Sequence, residues 1–373
     1  MHIVHIYKDY PPIVGGIEGH LQVLAEGVVA HGHQATVLVT NPKRGTTDTM
    51  ENGVRVLRVA HELKVASTPF SLGMVIMARG LRADLVHLHM PYPPGDLVAR
   101  AIGGNPPLVI SYHSDVVRQK KLLRIYRPLL QHTLGRATQI VAASRPYIDS
   151  SPFLRPFADK CAVVPYGIAP ARFGSIDAVR VATLREALPK PIILSVGVLR
   201  YYKGLHILLD ALPEVEGTLV IVGAGPEEAK LRAQVAALGL QRRVVFAGRV
   251  SDDALPTYYQ AADLFVLPSH LRAEAFGIVL LEAMAAGLPL VTTELGTATS
   301  VINQNNVTGL VVPPGDAWAL ARAINVLGAD PALRAQFGAA ARVAVEQEYT
   351  KERMVNRMLD VYRHTLNRPG RAA

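Results

Sequence analysis

Several things are scarce in this chain, and each scarcity excludes a class. Of 373 residues only one is cysteine, Cys161, so no internal disulfide can form, and a lone thiol in an apolar run is expected to act as a buried small hydrophobe. No uninterrupted apolar run approaches the ~18 to 20 residues a bilayer-crossing helix needs. Met1 to Ile6 is expected to enter a strand directly rather than to act as a signal peptide, which points to a cytoplasmic protein. Aromatic residues make up 6% of the chain and nowhere interleave with lysine and arginine into a platform for stacked bases, which argues against a nucleic-acid binder. No repeat recurs at a solenoid period. What remains is an ordinary globular composition, half of it apolar.

At 373 residues the chain exceeds what one hydrophobic core usually serves, so two domains are expected. The formal charge of +9 is unevenly spread: residues 1–172 hold 19 Lys or Arg against 11 Asp or Glu, whereas residues 173–373 hold 20 against 19. An anionic partner is therefore expected on the first half. Strand candidates there are 2–7, 35–40, 54–59, 85–89, 108–112 and 139–143, alternating with helical or loop material. The proline- and glycine-punctuated run 163–174 then closes the sheet, and a second alternation follows with strands at 192–196, 218–222, 244–247, 264–267, 290–293 and 310–312. Such alternation predicts α/β domains with doubly wound parallel sheets, whose ligands sit at the carboxyl ends of the strands. Helices are expected at 317–327, where Trp318 is a covering aromatic, at 331–346, and at 351–366.

The most informative stretch is LPSHLRAEAFGIVLLEAMAAGLPLV, residues 267–291. It reads as a strand ending at Pro268, a loop carrying Glu274, a helix over 275–286 carrying Glu282 two turns in, and a stop at Gly287 and Pro289. The first amides of that helix, at Phe276, Gly277 and Ile278, would lie between two carboxylates. An anion suits such a helix end, and a diphosphate there with one acid for each flanking sugar ring describes a nucleotide-sugar. The plainer alternative is a solvated N-terminal acid and an exposed acid further along.

The whole of this run resembles the E-x7-E signature of the retaining glycosyltransferases of family 4, and the resemblance extends over essentially the whole chain. It implies the GT-B fold: two facing Rossmann-like domains, here 1–172 on the acceptor side and 173–349 on the donor side, with a C-terminal helix in 350–373 crossing back to the first. It also implies that Glu274 holds sugar hydroxyls and Glu282 the ribose.

Other motifs take their place beside it. Gly15-Gly16-Ile17-Glu18 follows the first strand; a glycine pair there makes a tight turn or lets backbone approach a phosphate, and the resemblance favours the donor diphosphate, with Glu18 near the acceptor. His113 follows the strand 108–112 in SYHSD, at a carboxyl end, where the resemblance places a histidine against the transferred sugar; Asp115 either accompanies it or caps the next helix. His87 and His89 share one strand face, a spacing metal sites use, but the sequence offers no cysteine or acid as a third ligand, so packing or hydrogen bonding is expected instead.

Residues 116–137 carry six basic and no acidic side chains. On a helical wheel Lys120, Lys121, Arg124 and Arg127 share one flank and leucines the other, a basic amphipathic helix that Pro128 should break or kink. It reads as a solvated surface helix or as one that meets anionic lipid. The turn Gly197 to Gly204 opens a helix with Arg200 and Lys203 at its N-terminus, against the macrodipole, so a bound anion is expected to compensate. Lys203 matches the family's lysine; the family's arginine is replaced by Val198, with Arg200 as the proposed substitute. Gly223-Ala224-Gly225 begins a dinucleotide fingerprint, but Glu228 stands where the third glycine belongs, so a dehydrogenase is a poor reading. Val250, before the helix that Ser251 caps, could meet the base through its backbone, and Leu295 to Thr297 is a weaker sugar or phosphate contact.

The resemblance thus implies a metal-independent, retaining hexosyltransferase with no cofactor, using His113, Glu274, Arg200 and Lys203. The expected donor is a UDP- or GDP-sugar and the acceptor a hydroxyl of a glycan or lipid-linked acceptor, in cell-surface polysaccharide or glycolipid synthesis. Peripheral attachment at the inner membrane face fits the basic helix. The alternatives are a sugar-nucleotide epimerase of the same architecture and a basic nucleic-acid-binding protein.

Overall fold

The computed structural model describes residues 1–13, 15–43, 45–65, 68–115, 120–174 and 177–367. It divides into two compact units, Met1–Tyr166 together with Lys351–Ala373, and Gly167–Thr350. The division falls inside the proline- and glycine-punctuated run 163–174, a few residues before the bound at 172. Ile168 donates its amide to the carbonyl of Tyr349 at 2.9 Å and pairs with Thr350 in a parallel bridge, which ties the two ends of the second unit together.

The strands of the first unit are β1 (His2–Ile6), β2 (Gln34–Asn41), β3 (Thr47–Glu51), β4 (Val54–Ala60), the hairpin β5 (Leu63–Val65) and β6 (Thr68–Phe70), then β7 (Leu85–Met90), β8 (Leu108–Tyr112), β9 (Gln139–Ala142) and β10 (Cys161–Val163). Eight of them form a sheet in the order β10-β9-β8-β7-β1-β2-β4-β3, parallel except where β3 returns beside β4. The central strands read as near-continuous apolar runs because helices cover both faces. β3 (TDTME) is exposed along most of its length, a polar edge with no apolar alternation by which the sequence could have shown it. Cys161 lies in edge strand β10 and is only half-buried, with its thiol donating to the Phe157 carbonyl at 3.3 Å; it is not the core hydrophobe expected.

The C-terminal helix Lys351–Asn367 packs in this unit, burying Met354, Val355, Met358, Leu359 and Tyr362. Gly27 makes room for it: a Cβ there would stand 2.4 Å from Val355. The basic helix runs over Lys120–Arg136 without a break, with Pro128 inside it, so the proline does not end it. Residues 116–119 and the side chains of Lys120 and Lys121 lie outside the described residues. Arg124 and Arg127 are exposed as expected, but so is Leu129, and Arg136 is held 2.6 Å from Asp96.

The second unit has β11 (Ile192–Val196), β12 (Thr218–Val222), β13 (Val244–Gly248), β14 (Leu264–Leu267), β15 (Leu290–Thr293) and β16 (Gly309–Val312), all parallel in the order β13-β12-β11-β14-β15-β16. The chain builds outward from β11 to β13, then returns to the other side of β11 to lay down β14. Loops leaving β11 and β14 therefore diverge at the switch point, where open α/β sheets bind ligands. Trp318 is 64% exposed with the Arg322 guanidinium over its ring, a surface residue rather than a cover.

Candidate functional site

Two clusters carry the sequence-predicted residues, one in each unit. In the second unit the loop after β11 carries Arg200 and Lys203, and the loop after β14 carries Glu274. Gly204 brings the two loops together: its φ is +68°, and a Cβ there would stand 2.0 Å from the carbonyl oxygen of Pro268. Only a glycine allows that approach. Lys203 Nζ then lies 2.6 Å from Glu274 Oε2, and the Ser269 hydroxyl donates to the same oxygen at 3.0 Å. Burial alone would lower the Lys203 ammonium, but the Glu274 carboxylate outweighs it and holds the pKa above its ordinary value. The cation at this helix start is thus compensated by Glu274, where the sequence had suggested a bound anion. Arg200 is exposed at the rim, and Val198 is half exposed beside it.

The helix that follows Glu274 begins at Ile278, later than expected, because Gly277 adopts φ +81°. Glu282 consequently lies one turn into the helix, not two. Its Oε2 accepts the Tyr259 hydroxyl at 2.6 Å. Burial pushes the Glu282 carboxyl up to about 6, against the Tyr259 bond and the charge of Arg172, which pull it down. Phe276 and Ala275 are buried, and the Ala275 carbonyl accepts from Ala298. Gly223 and Gly225 press on the loop after β11, since Cβ atoms there would meet the Gly197 carbonyl oxygen at 2.0 Å and that of Leu199 at 2.5 Å. Those two glycines shape the Lys203 loop. Val250 sits before the helix Leu255–Ala261, with Ser251 accepting from the Ala254 amide at 3.3 Å.

In the first unit the candidates gather at the carboxyl ends of β1, β7 and β8. Gly15 is extended, and what it provides is space: a Cβ there would stand 2.1 Å from a Glu18 carboxylate oxygen, while Gly16 has open space. Glu18 is buried in the first turn of the helix Gly16–Ala30, and burial raises its pKa. Asp115 receives the Tyr112 hydroxyl at 3.0 Å and the Ser151 hydroxyl at 2.8 Å, an internal brace.

His113, only 6% exposed, has both ring nitrogens engaged: Nε2 lies 3.0 Å from His89 Nδ1, and Nδ1 lies 2.5 Å from the Tyr166 hydroxyl. His89 Nε2 continues to His5 Nδ1 at 3.3 Å. His87 meets the hydroxyls of Tyr362 at 2.6 Å and Ser111 at 2.8 Å. Burial holds every one of these imidazoles neutral, lowering His5 to about 3 and His20 to about 4. The sequence offered no third ligand beside His87 and His89, but the fold supplies histidines. Among the described residues His5, His87 and His89, and likewise His20, His89 and His113, bring ring nitrogens within 4.8 Å of one another.

Sequence comparison places this geometry in a known context. The description "Glycosyltransferase Family 4" matches residues 14–172, and "Glycosyl transferases group 1" matches 181–344. The O-antigen chain mannosyltransferase C of Escherichia coli is 37% identical, the match covering 97% of this chain and 98% of that protein. The D-rhamnosyltransferase WbpZ of Pseudomonas aeruginosa is 42% identical, over 94% of this chain and 92% of its own. The chain belongs to glycosyltransferase family 4. Among solved structures, sucrose-phosphate synthase from Thermosynechococcus elongatus superposes with a TM-score of 0.81 at 24% identity, covering 97% of this chain and 98% of that one. The fold of this glycosyltransferase is GT-B.

Sequence reasoning missed residues that orient the candidates: Tyr259 on Glu282, Ser269 on Glu274, and Tyr166 and His5 around His113; His89 was expected to pack or hydrogen-bond, and it bonds to His113. All but Ser269, which shares the β14 loop with Glu274, come from a different element than the residue they touch. None carries a local signal beyond His5, His87 and His89 alternating with apolar positions on central strands.

Proposed function

We infer that this glycosyltransferase moves a manno-configured hexose, mannose or its 6-deoxy form, from a nucleoside diphosphate (UDP or GDP) to a hydroxyl of a glycan or lipid-linked acceptor in cell-surface polysaccharide synthesis. The sugar class rests on the relatives' names, mannosyl- and D-rhamnosyltransferase. The observation that carries the mechanism is the buried Lys203–Glu274 pair with Glu282 one helix turn beyond, at the switch point of the second sheet. A donor diphosphate takes Lys203, aided by Arg200 and the amides at Phe276, Gly277 and Ile278. Those groups stabilise charge growing on the departing phosphate, so no divalent metal and no cofactor is needed. Glu274 is released to accept hydroxyls of the sugar, and Glu282 holds the ribose. His113 meets the sugar, and transfer proceeds with retention, the donor phosphate taking the acceptor's proton on the same face.

Calorimetry with UDP-, GDP- and ADP-linked mannose and glucose tests the donor. Tight binding of one manno-configured donor in the presence of chelator supports the reading, and binding that requires a divalent ion overturns its metal-free form. The anomeric configuration of the product, read by NMR, decides retention. Among the described residues no helix is long and apolar enough to cross a membrane. The basic helix Lys120–Arg136 is the proposed contact with an anionic membrane face, and neutralising Lys120, Lys121 and Arg124 should abolish sedimentation with anionic vesicles while leaving donor binding intact.

A further inference from the structure

We propose that Tyr166, His113, His89 and His5 form one directional hydrogen-bonded chain that fixes His113 as its Nε2–H tautomer, keeps its Nδ1 as a proton acceptor, and makes His89 and His5 positioning residues. Its geometry is that of a wire. The His89 and His113 rings are nearly coplanar, 6° apart, with centroids 5.3 Å apart and facing nitrogens 3.0 Å apart. His5 and His89 have centroids 5.6 Å apart and nitrogens 3.3 Å apart. In both pairs the centroids exceed the nitrogens by the same margin, about two ring radii, so each pair of nitrogens lies on the line joining its ring centres. Lone pairs aimed at one another share a proton, whereas lone pairs aimed at a common third point would share an ion.

A neutral imidazole has one donor and one acceptor, so choosing the direction of one bond fixes every ring in the chain. Tyr166 makes that choice. Its hydroxyl is within hydrogen-bond reach of His113 Nδ1, and a phenol O–H is a far stronger proton donor than the N–H of a neutral imidazole. The phenol therefore donates to Nδ1, His113 Nε2–H donates to His89 Nδ1, and His89 Nε2–H donates to His5 Nδ1. The cost falls at the buried end, where His5 Nε2 has no acceptor among the described residues, and the hydroxyl bond at the other end has to outweigh it. His87 stands outside the chain because both of its partners are hydroxyls, which can turn either way. His20, beside His113, borders a cavity of about 10 Å³ lined also by Tyr166 and Ser111, room for about one water, and needs no place in the relay.

The consequence for transfer rests on the reading that His113 meets the sugar. A sugar hydroxyl that takes the place of the Tyr166 hydroxyl at Nδ1 keeps the direction of the chain only by donating as the phenol does, so an acceptor Nδ1 selects a hydroxyl turned with its proton toward the ring.

Histidine-selective ¹⁵N labelling of the wild-type protein tests the chain directly, with resonances assigned from single variants. The expected result is that His113, His89 and His5 all report the Nε2–H form, with a through-hydrogen-bond nitrogen coupling between His89 and His113. Any of the three found as Nδ1–H overturns the proposal. For function, His89→Leu should lower kcat about tenfold with donor KM little changed, and His89→Asn, which keeps an acceptor near the position of Nδ1, should recover most of it. Unaltered kcat in His89→Leu, with His113→Ala impaired, refutes the positioning role. If His113→Ala itself transfers normally, the assignment of His113 to the sugar has failed, and the tautomers still decide the chain.

Discussion

At the residue scale the candidate donor site is a set of charges that compensate one another. Lys203 and Glu274 are both largely covered, with side-chain exposures of 13% and 9%. Removing one partner strands the other in a poorly hydrated place, so Lys203→Ala should destabilise the protein by about 3 kcal/mol. The double variant with Glu274→Gln should recover part of that loss, as read by denaturant midpoints in a double-mutant cycle. Glu282 presents the opposite problem. Its folded-state pKa of about 6 stands above the ordinary carboxylate value of 4.5, so its contribution to stability is present below pH 4.5 and is lost as pH rises through 6. Glu282→Gln should therefore raise thermal stability relative to wild type at pH 7.5, by about 1 to 2 kcal/mol, and make little difference at pH 4.5. Donor binding by the same variant should weaken. A stabilised variant that binds more poorly is what a residue retained for ligand recognition predicts.

At the element scale the decisive feature is one left-handed glycine. Gly204 lets the β11 loop rest on the β14 loop, and without that contact Lys203 has no reason to lie against Glu274. Gly204→Ala combines an unfavourable φ with a clash against the Pro268 carbonyl, and neither is relieved by turning a side chain. It should cost at least about 1 kcal/mol in chemical denaturation and weaken diphosphate binding in calorimetry, while Gly16→Ala, which has open space, should be nearly silent in stability. The short helix bearing Glu282 makes a related point. Its composition favours helix from Ala275 onward, but Gly277 at φ +81° delays the start, so the acid is brought a turn closer to the loop than periodicity implies.

At the scale of the whole molecule, the first unit is completed by the end of the chain. The helix Lys351–Asn367 buries five large apolar side chains there, and Tyr362 reaches His87 at the centre of the sheet. At roughly 1.5–3 kcal/mol for each buried side chain, that burial is comparable to the entire stability of an ordinary domain. Deleting residues 351–373 should leave the first unit unfolded, seen as the loss of one calorimetric transition, while the second unit, complete over Gly167–Thr350, retains its own. The excess of positive charge lies in the same unit and has no bearing on this loss; it concerns which surfaces and acceptors the protein meets.

The sequence by itself determined the two doubly wound sheets, nearly every central strand, and the places of Glu274, Glu282 and Lys203 beside the strands β14 and β11, because apolar runs, helix stops and glycine-marked loops are local signals. It also placed His113 at a strand end. Polar edge strand β3, the short β10 and the small hairpin escaped, since strands that bury little leave no pattern. The tertiary structure alone decided that Lys203 is held by Glu274, that Tyr259 grips Glu282, and that histidines distributed from position 5 to position 113 join into one buried chain. Such partners come from strands and loops far apart in sequence, and strand order, which no local window contains, determines which of them meet.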